Sequence, residues 1–213
     1  MTRISFLLTS VLIIFISSCS SLMSDFAPTD TYLSIKNYVF GFPSLNISYA
    51  DYKKKEDSFA VIKFGRGPSS TIYLAYVKNG IYEWRSNDGV KIYTLNGMIV
   101  ETEGLPHDMR FDSECFQNNA SNFITSESCR LTLVNPDLSQ AYSKTTPIEE
   151  SSAKVLRFGK EIEVTQYKMR IEVPSIRWSK QNVFIVDDGV VLSTLQNIHP
   201  KLPSVYIEYF LVY

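Results

Sequence analysis

Histidine is scarce. The 213 residues hold two, His107 after Pro106 and His199 before Pro200, and both read as exposed loop residues. Their spacing makes no metal pair, and neither His-Glu-x-x-His nor Gly-x-Ser-x-Gly occurs. The sequence therefore carries no zinc-protease or serine-hydrolase signature, and it calls for no cofactor or metal. Charge of one sign is also lacking: 21 Lys and Arg face 22 Asp and Glu. Without a basic patch there is no footprint for nucleic acid. The one basic run, Lys53-Lys54-Lys55, is neutralised by Glu56-Asp57 and reads as a solvated helix end. Long apolar runs are missing too. The longest, Phe6–Ile16, is about 11 residues, short of the roughly 20 that a spanning helix needs.

What is present begins with that short run. Thr2-Arg3 gives a positive start, the apolar stretch follows, and Ser17-Ser18 precede Cys19. This is the layout of a secretory signal peptide. Ile16-Ser17-Ser18-Cys19 resembles the lipobox of bacterial lipoproteins. Small residues enter the peptidase cleft there, and the thiol of Cys19 is the nucleophile that accepts the diacylglyceryl group. Ser20, in place of the inner-membrane retention Asp, favours sorting to the periplasmic face of the outer membrane. Several acyl chains anchor firmly, since each buried methylene contributes about 0.8 kcal/mol. The expected organisation is a signal peptide over 1–18, a lipidated N-terminus and tether over 19–37, and a single β-rich periplasmic domain over 38–213. The removed segment carries only Arg3, which leaves the mature chain 20 basic against 22 acidic residues.

With Cys19 assigned to lipid, Cys115 and Cys129 remain. An even pair in an oxidising compartment reads as a disulfide. It would close a polar, Asn- and Ser-rich loop and stabilise by up to about 3 kcal/mol in the chain-entropy model. The spacing does not suit a CxxC redox pair.

From Ser58 the pattern is β. Runs rich in Val, Ile, Thr, Tyr and Phe alternate with turn dipeptides. Asn79-Gly80 and Asn96-Gly97 are hairpin turns of the kind that needs positive φ at both central residues. Residues 58–103 read as a five-stranded meander. Further strands fall at 130–134, 154–158, 161–173, 182–186, 190–196 and 205–212. Ser48 caps a short helix ending in the lysine run. About ten antiparallel strands and no βαβ unit give an all-β fold. Several strands are apolar on both faces, which suits a strongly curved sheet, a half-barrel or a barrel.

Trp84-Arg-Ser-Asn-Asp88-Gly89, then Leu95-Asn-Gly97-Met-Ile-Val-Glu-Thr, then Gly104-Leu105-Pro106 resemble the YjbF/GfcB family of outer-membrane lipoproteins, found in exopolysaccharide and group 4 capsule loci. Arg177-Trp178, the apolar strand through Val186, the Gly189 turn and the return to Gln196 resemble it as well. The Cys pair and polar loop of Ser113–Thr146 depart from the family pattern. The resemblance implies a role in making or exporting surface polysaccharide. Its partners would be an export channel, an outer-membrane barrel and a periplasmic protein of the same locus. It carries over no catalytic residues.

The candidates for contact with glycan or a partner are Trp84, Arg85 and Asp88, with Arg66 in Gly65-Arg66-Gly67-Pro68 and Trp178. Sugar-binding proteins stack pyranose rings on aromatic side chains, but a meander also needs aromatics in its core. Asp187-Asp188-Gly189 reads as a turn, since adjacent strand-end residues point to opposite faces, and not as the carboxylate pair of a glycosidase. Phe40-Gly41-Phe42-Pro43 would pack on the sheet edge or meet a partner. The expected function is a non-enzymatic accessory lipoprotein of polysaccharide assembly or export. The alternatives are a polysaccharide-modifying hydrolase, which needs converging carboxylates, and a lipid or lipoprotein carrier, which needs a large apolar cavity inside the curved sheet.

Overall fold

The computed structural model describes residues 36–37, 41–112, 115 and 127–212. The expected signal peptide, Cys19 and all of the expected tether except residues 36–37 lie outside the described residues. The chain divides into two compact units after Phe42, and the strands belong to the unit that begins at Pro43.

That unit is a closed antiparallel barrel of twelve strands in sequence order, sealed by pairing of the first with the last. The strands are β1 (Phe59–Phe64), β2 (Ser69–Lys78), β3 (Ile81–Arg85), β4 (Lys91–Leu95), β5 (Met98–Glu103), β6 (Met109–Phe111), β7 (Glu127–Leu133), β8 (Leu138–Arg157), β9 (Lys160–Val173), β10 (Trp178–Asp187), β11 (Val190–Gln196) and β12 (Val205–Phe210). The all-β, curved architecture is as the sequence implies, with twelve strands among the described residues where the pattern suggested about ten. The added strand is β6, and β8, read from the sequence only over 154–158, begins earlier, at Leu138. At three residues, β6 is too short to show a period. The first half of β8 carries Pro147, which argues against a central strand. Among the described residues β7 pairs with β8 only as far as Glu127↔Thr145, short of Pro147, and the register with β9 shifts between Pro147 and Glu149.

Alternation decides what fills the barrel. Ala60 and Ile62, Ile72, Trp84, Ile92, Leu131 and Leu133, Ile171 and Val173, Phe184, Val205 and Ile207 are all buried in one core. The charged residues fall on the outside. An apolar lumen with a polar exterior is the reverse of a membrane-spanning barrel. No helix among the described residues is long and apolar enough to cross a membrane. The turns fall where the dipeptides place them. Asn79-Gly80 and Asn96-Gly97 both have positive φ at each residue. At Gly97 glycine is also needed for space, because an added Cβ would sit 2.7 Å from Val191 Cγ1 across the lumen.

The seam between β1 and β12 has its own cover. Helix α1 (Tyr49–Lys53) is capped by Ser48, whose Oγ accepts from Asp51 N–H at 3.1 Å. Tyr52 Oη donates to Leu211 O at 2.7 Å. The β8–β9 hairpin runs past its neighbours, and Phe158 at its turn stacks on Tyr52 and packs against Phe210. Arg157 Nη2 donates to Tyr209 O at 2.8 Å. Phe59, Val61 and Phe210 are thereby buried in a second, smaller cluster outside the barrel wall. Cys115 and Cys129 are joined, with Cα atoms 5.7 Å apart.

Candidate functional site

The sequence-selected residues do not converge. Trp84 is 1% exposed and Trp178 is 9% exposed. Both face the lumen, so neither presents a ring to a ligand outside the barrel. Of the two roles weighed for these aromatics, their burial is that of core residues. The physical reason is strand phase: Trp84 pairs with Leu74 and Ile92, and Trp178 with Val173, all on the inner face. Arg85, Asp88 and Arg66 are exposed, on a strand end and two turns. Arg85 Nε sits 2.6 Å from Glu83 Oε1. Asp88 accepts from the Ser86 hydroxyl, and that bond holds its carboxyl below the usual carboxylate range.

Trp84 does border a cleft at one end of the lumen. The cleft is about 140 Å³ and is lined by Tyr82, Trp84, Thr94, Gly97, Val191 and Tyr209 among others. Its polar groups are tied down. Trp84 Nε1 donates to Thr94 Oγ1 at 2.9 Å. Tyr209 Oη donates to Gly97 O at 3.1 Å. Gln196 bridges the two walls, its Nε2 donating to Gly97 O at 2.7 Å and its Oε1 accepting from Ile99 N–H at 3.0 Å. Burial pushes the Tyr209 phenol up, so it stays neutral. With β5 and β11 in contact across the lumen, the cleft is well below the roughly 300–1,000 Å³ of a ligand pocket.

At the other end of the barrel the two histidines meet. They lie in the β5–β6 and β11–β12 loops, with ring centroids 5.1 Å apart and planes 14° from parallel. His199 is 1% exposed, so the reading of exposed loop histidines is corrected: they are loop residues stacked across the barrel end. His199 Nδ1 accepts from Lys201 N–H at 3.1 Å. Burial, with the neighbouring His107, pulls the His199 imidazole down. Among the described residues, no hydrogen bond is formed by the buried His107 Nδ1 and His199 Nε2. No group of three or more potential metal ligands occurs among the described residues. A contact spanning 92 positions left no local signal in the sequence.

Two charged faces lie on the outside. On β3–β6, Glu83, Tyr93, Glu101 and Arg110 form one cross-strand row, and Arg85, Lys91 and Glu103 the next. Lys91 Nζ lies 2.6 Å from Glu103 Oε2, and Arg110 Nε 3.4 Å from Glu101 Oε1. The Lys91 bond holds Glu103 low, whereas burial pushes Glu101 up against the pull of Arg110. Neighbouring carboxylates pushed apart are a signature of acid–base pairs. Here each is already engaged by a cation. On β7–β10, Arg130, Tyr142, Lys144, Arg170 and Glu172 point outward. A groove of about 300 Å³ follows β8 and β9 there, lined by Lys144, Thr146, Pro147, Ile148, Arg170 and Glu172.

The fold is that of a solved lipoprotein barrel. The hypothetical lipoprotein YmcC from Escherichia coli superposes with a TM-score of 0.65 at 14% identity, covering 89% of this chain and 98% of that one. A candidate lipoprotein from Parabacteroides distasonis, at 11% identity over 74% of this chain and 95% of its own, has a TM-score of 0.32, too low to carry an argument. No curated protein matches the chain. The family profile is decisive: residues 32–210 match the group 4 capsule polysaccharide lipoprotein family, GfcB and YjbF, and the chain belongs to it.

Proposed function

We propose that this chain is a non-enzymatic outer-membrane lipoprotein of capsule or exopolysaccharide assembly or export, held on the periplasmic face by lipid on Cys19. The observation that carries the reading is the family match over residues 32–210, which spans the whole barrel. Its partners would be the export channel, outer-membrane barrel and periplasmic protein of the same locus, and the polysaccharide itself. The exposed Arg66, Arg85 and Asp88 stay as contact candidates. The disulfide Cys115–Cys129 would hold the polar loop between them in the oxidising periplasm.

The geometry favours this over both alternatives. A carrier would need room for an acyl chain, and the lumen is filled by side chains around a cleft of about 140 Å³. A hydrolase would need free carboxylates facing a cleft, and Glu101 and Glu103 are held by Arg110 and Lys91 on the outer wall. Deletion of the gene tests the reading. Surface polysaccharide should fall in amount or chain length, and an unchanged polymer would overturn it. Cys19→Ala should leave a folded protein off the membrane and lower export. Full export by that variant would overturn the role of the anchor.

A further inference from the structure

We propose that the outward face of β7–β10 is a binding site for an acidic polysaccharide, with Lys144 and Arg170 taking the carboxylates of uronic-acid residues and Tyr142 the face of a sugar ring. The proposal deepens the polysaccharide reading and takes the identity of the ligand class from it. The site itself rests on four observations.

The first is unmatched charge. Lys144 and Arg170 are exposed, and no carboxylate lies within ion-pair distance of either among the described residues, nor of Arg130 on the same face. The nearest acid in the register, Glu172, stands opposite Lys144. It is engaged by Ser179, whose Oγ donates to Glu172 Oε1 at 3.4 Å. On the same outer face Lys168 is matched by Glu149 at 2.7 Å, and farther along the barrel Lys91 and Lys154 each have a carboxylate within 3 Å.

The second is register. Lys144 pairs with Ser128 on one side and Glu172 on the other, and Arg170 pairs with Thr146 and Gln181. Lys144 and Arg170 are thus diagonal neighbours on one face, about 7–8 Å apart at the backbone. Two cations at that spacing suit acidic groups repeated along a polymer. Hydroxyl and amide groups from Ser128, Thr146 and Gln181 lie in the same rows and suit sugar hydroxyls.

The third is an aromatic ring on the same outward row. Tyr142 is 54% exposed, two residues before Lys144 and opposite Arg130. Its hydroxyl already bonds Ser128 Oγ at 2.7 Å, so what it offers is the ring face. A pyranose presents a flat array of C–H groups to such a face. The fourth is shape. The bulge between Pro147 and Glu149 bends β8 beside these residues, and the groove of about 300 Å³ lies there. The groove sets Pro147 and Ile148 among Lys144, Thr146, Arg170 and Glu172, a largely polar lining that argues for a glycan over a lipid.

The test uses the full mature lipoprotein in detergent, titrated with an oligogalacturonate, with maltohexaose as the neutral control and phosphatidylglycerol vesicles as the lipid control. The acidic oligomer should bind and the neutral one should not. Lys144→Ala with Arg170→Ala should weaken binding roughly tenfold, since each exposed ion pair contributes a few-fold. Glu172→Gln should tighten it, which shows that a loss in the double variant is not a folding artefact. Raising ionic strength from about 0.01 to about 0.15 M, which shortens the screening length from about 30 to about 8 Å, should weaken it too. Equal affinity in the double variant, equal binding of maltohexaose, or binding of the vesicles alone overturns the proposal. The outcome is separable from the wider reading. A deletion strain that loses surface polysaccharide while the purified protein ignores oligogalacturonate leaves the export role standing and removes this site. A protein that binds the oligomer while deletion changes nothing does the reverse.

Discussion

The two charged outer faces have similar ingredients and opposite arrangements. On β3–β6, Arg85, Lys91 and Arg110 each meet a glutamate at 2.6–3.4 Å. On β7–β10, Lys168 meets Glu149, but Arg130, Lys144 and Arg170 meet no carboxylate among the described residues, and Glu172 is turned to Ser179. The first face satisfies itself and needs only water around it. The second holds charge that a ligand can still neutralise. Net charge hides the distinction, because the whole chain is close to neutral at −1. Binding capacity here resides in unpaired arrangement, and composition does not record it.

The comparison is best broken from the inside outward. Trp84→Ala, beneath the β3–β6 face, removes a fully buried indole and should cost about 3–5 kcal/mol in urea denaturation. A loss below about 1 kcal/mol would mean that Trp84 is not part of the packed lumen and could serve a ligand after all. Gly97→Val forces a side chain into the Val191 contact at a backbone φ of +75°. It should cost about 1–3 kcal/mol, read as a lowered melting temperature.

The histidine stack offers a pH test between the two faces. Burial lowers the His199 pKa in the folded state, so the unfolded chain binds the proton more readily. Stability is then full above the ordinary value of 6.5 and falls as pH drops from there through the lower folded value. His199→Asn should flatten the melting temperature between pH 7.5 and 5.5, and an unchanged slope would dismiss the effect. The smallest changes belong to the surface. Arg85→Ala with Arg110→Ala should cost at most about 1 kcal/mol. Lys144→Ala with Arg170→Ala should stay within about 0.5 kcal/mol of the parent stability while weakening salt-sensitive glycan binding roughly tenfold. Were the first pair to alter binding more than the second, the assignment of roles to the two faces would be reversed.

Legibility in the sequence followed the range of the interactions. Hairpins such as Asn79-Gly80 and Asn96-Gly97 are local, and the turn residues place them. Strands with an apolar period, such as Val205–Phe210, were legible for the same reason. The first half of β8 was not, because its inward residues Ser143 and Thr145 are small and polar, so no apolar period marks it. Trp84 and Trp178 stood out by size, but their orientation depends on pairing with Leu74, Ile92 and Val173. Lys144 and Arg170 passed unnoticed, since 26 residues separate them and only the β8–β9 register brings them side by side. The capsule-lipoprotein family was readable from turn motifs, because tight turns constrain residue type most sharply.

The barrel seals by pairing Phe59 with Phe210, across almost the whole domain. Such distant closure makes folding slow relative to helical domains of equal size. It also means that no N-terminal portion can complete the sheet until the final strand has arrived. Under the proposed export, this closure would act as a timing device. The polypeptide would stay threadable while its C-terminus is still on the far side of the inner membrane, and the sheet would close only once the last residues are through. Removal of even the terminal strand would leave β1 without its partner, and the product should be cleared by proteases.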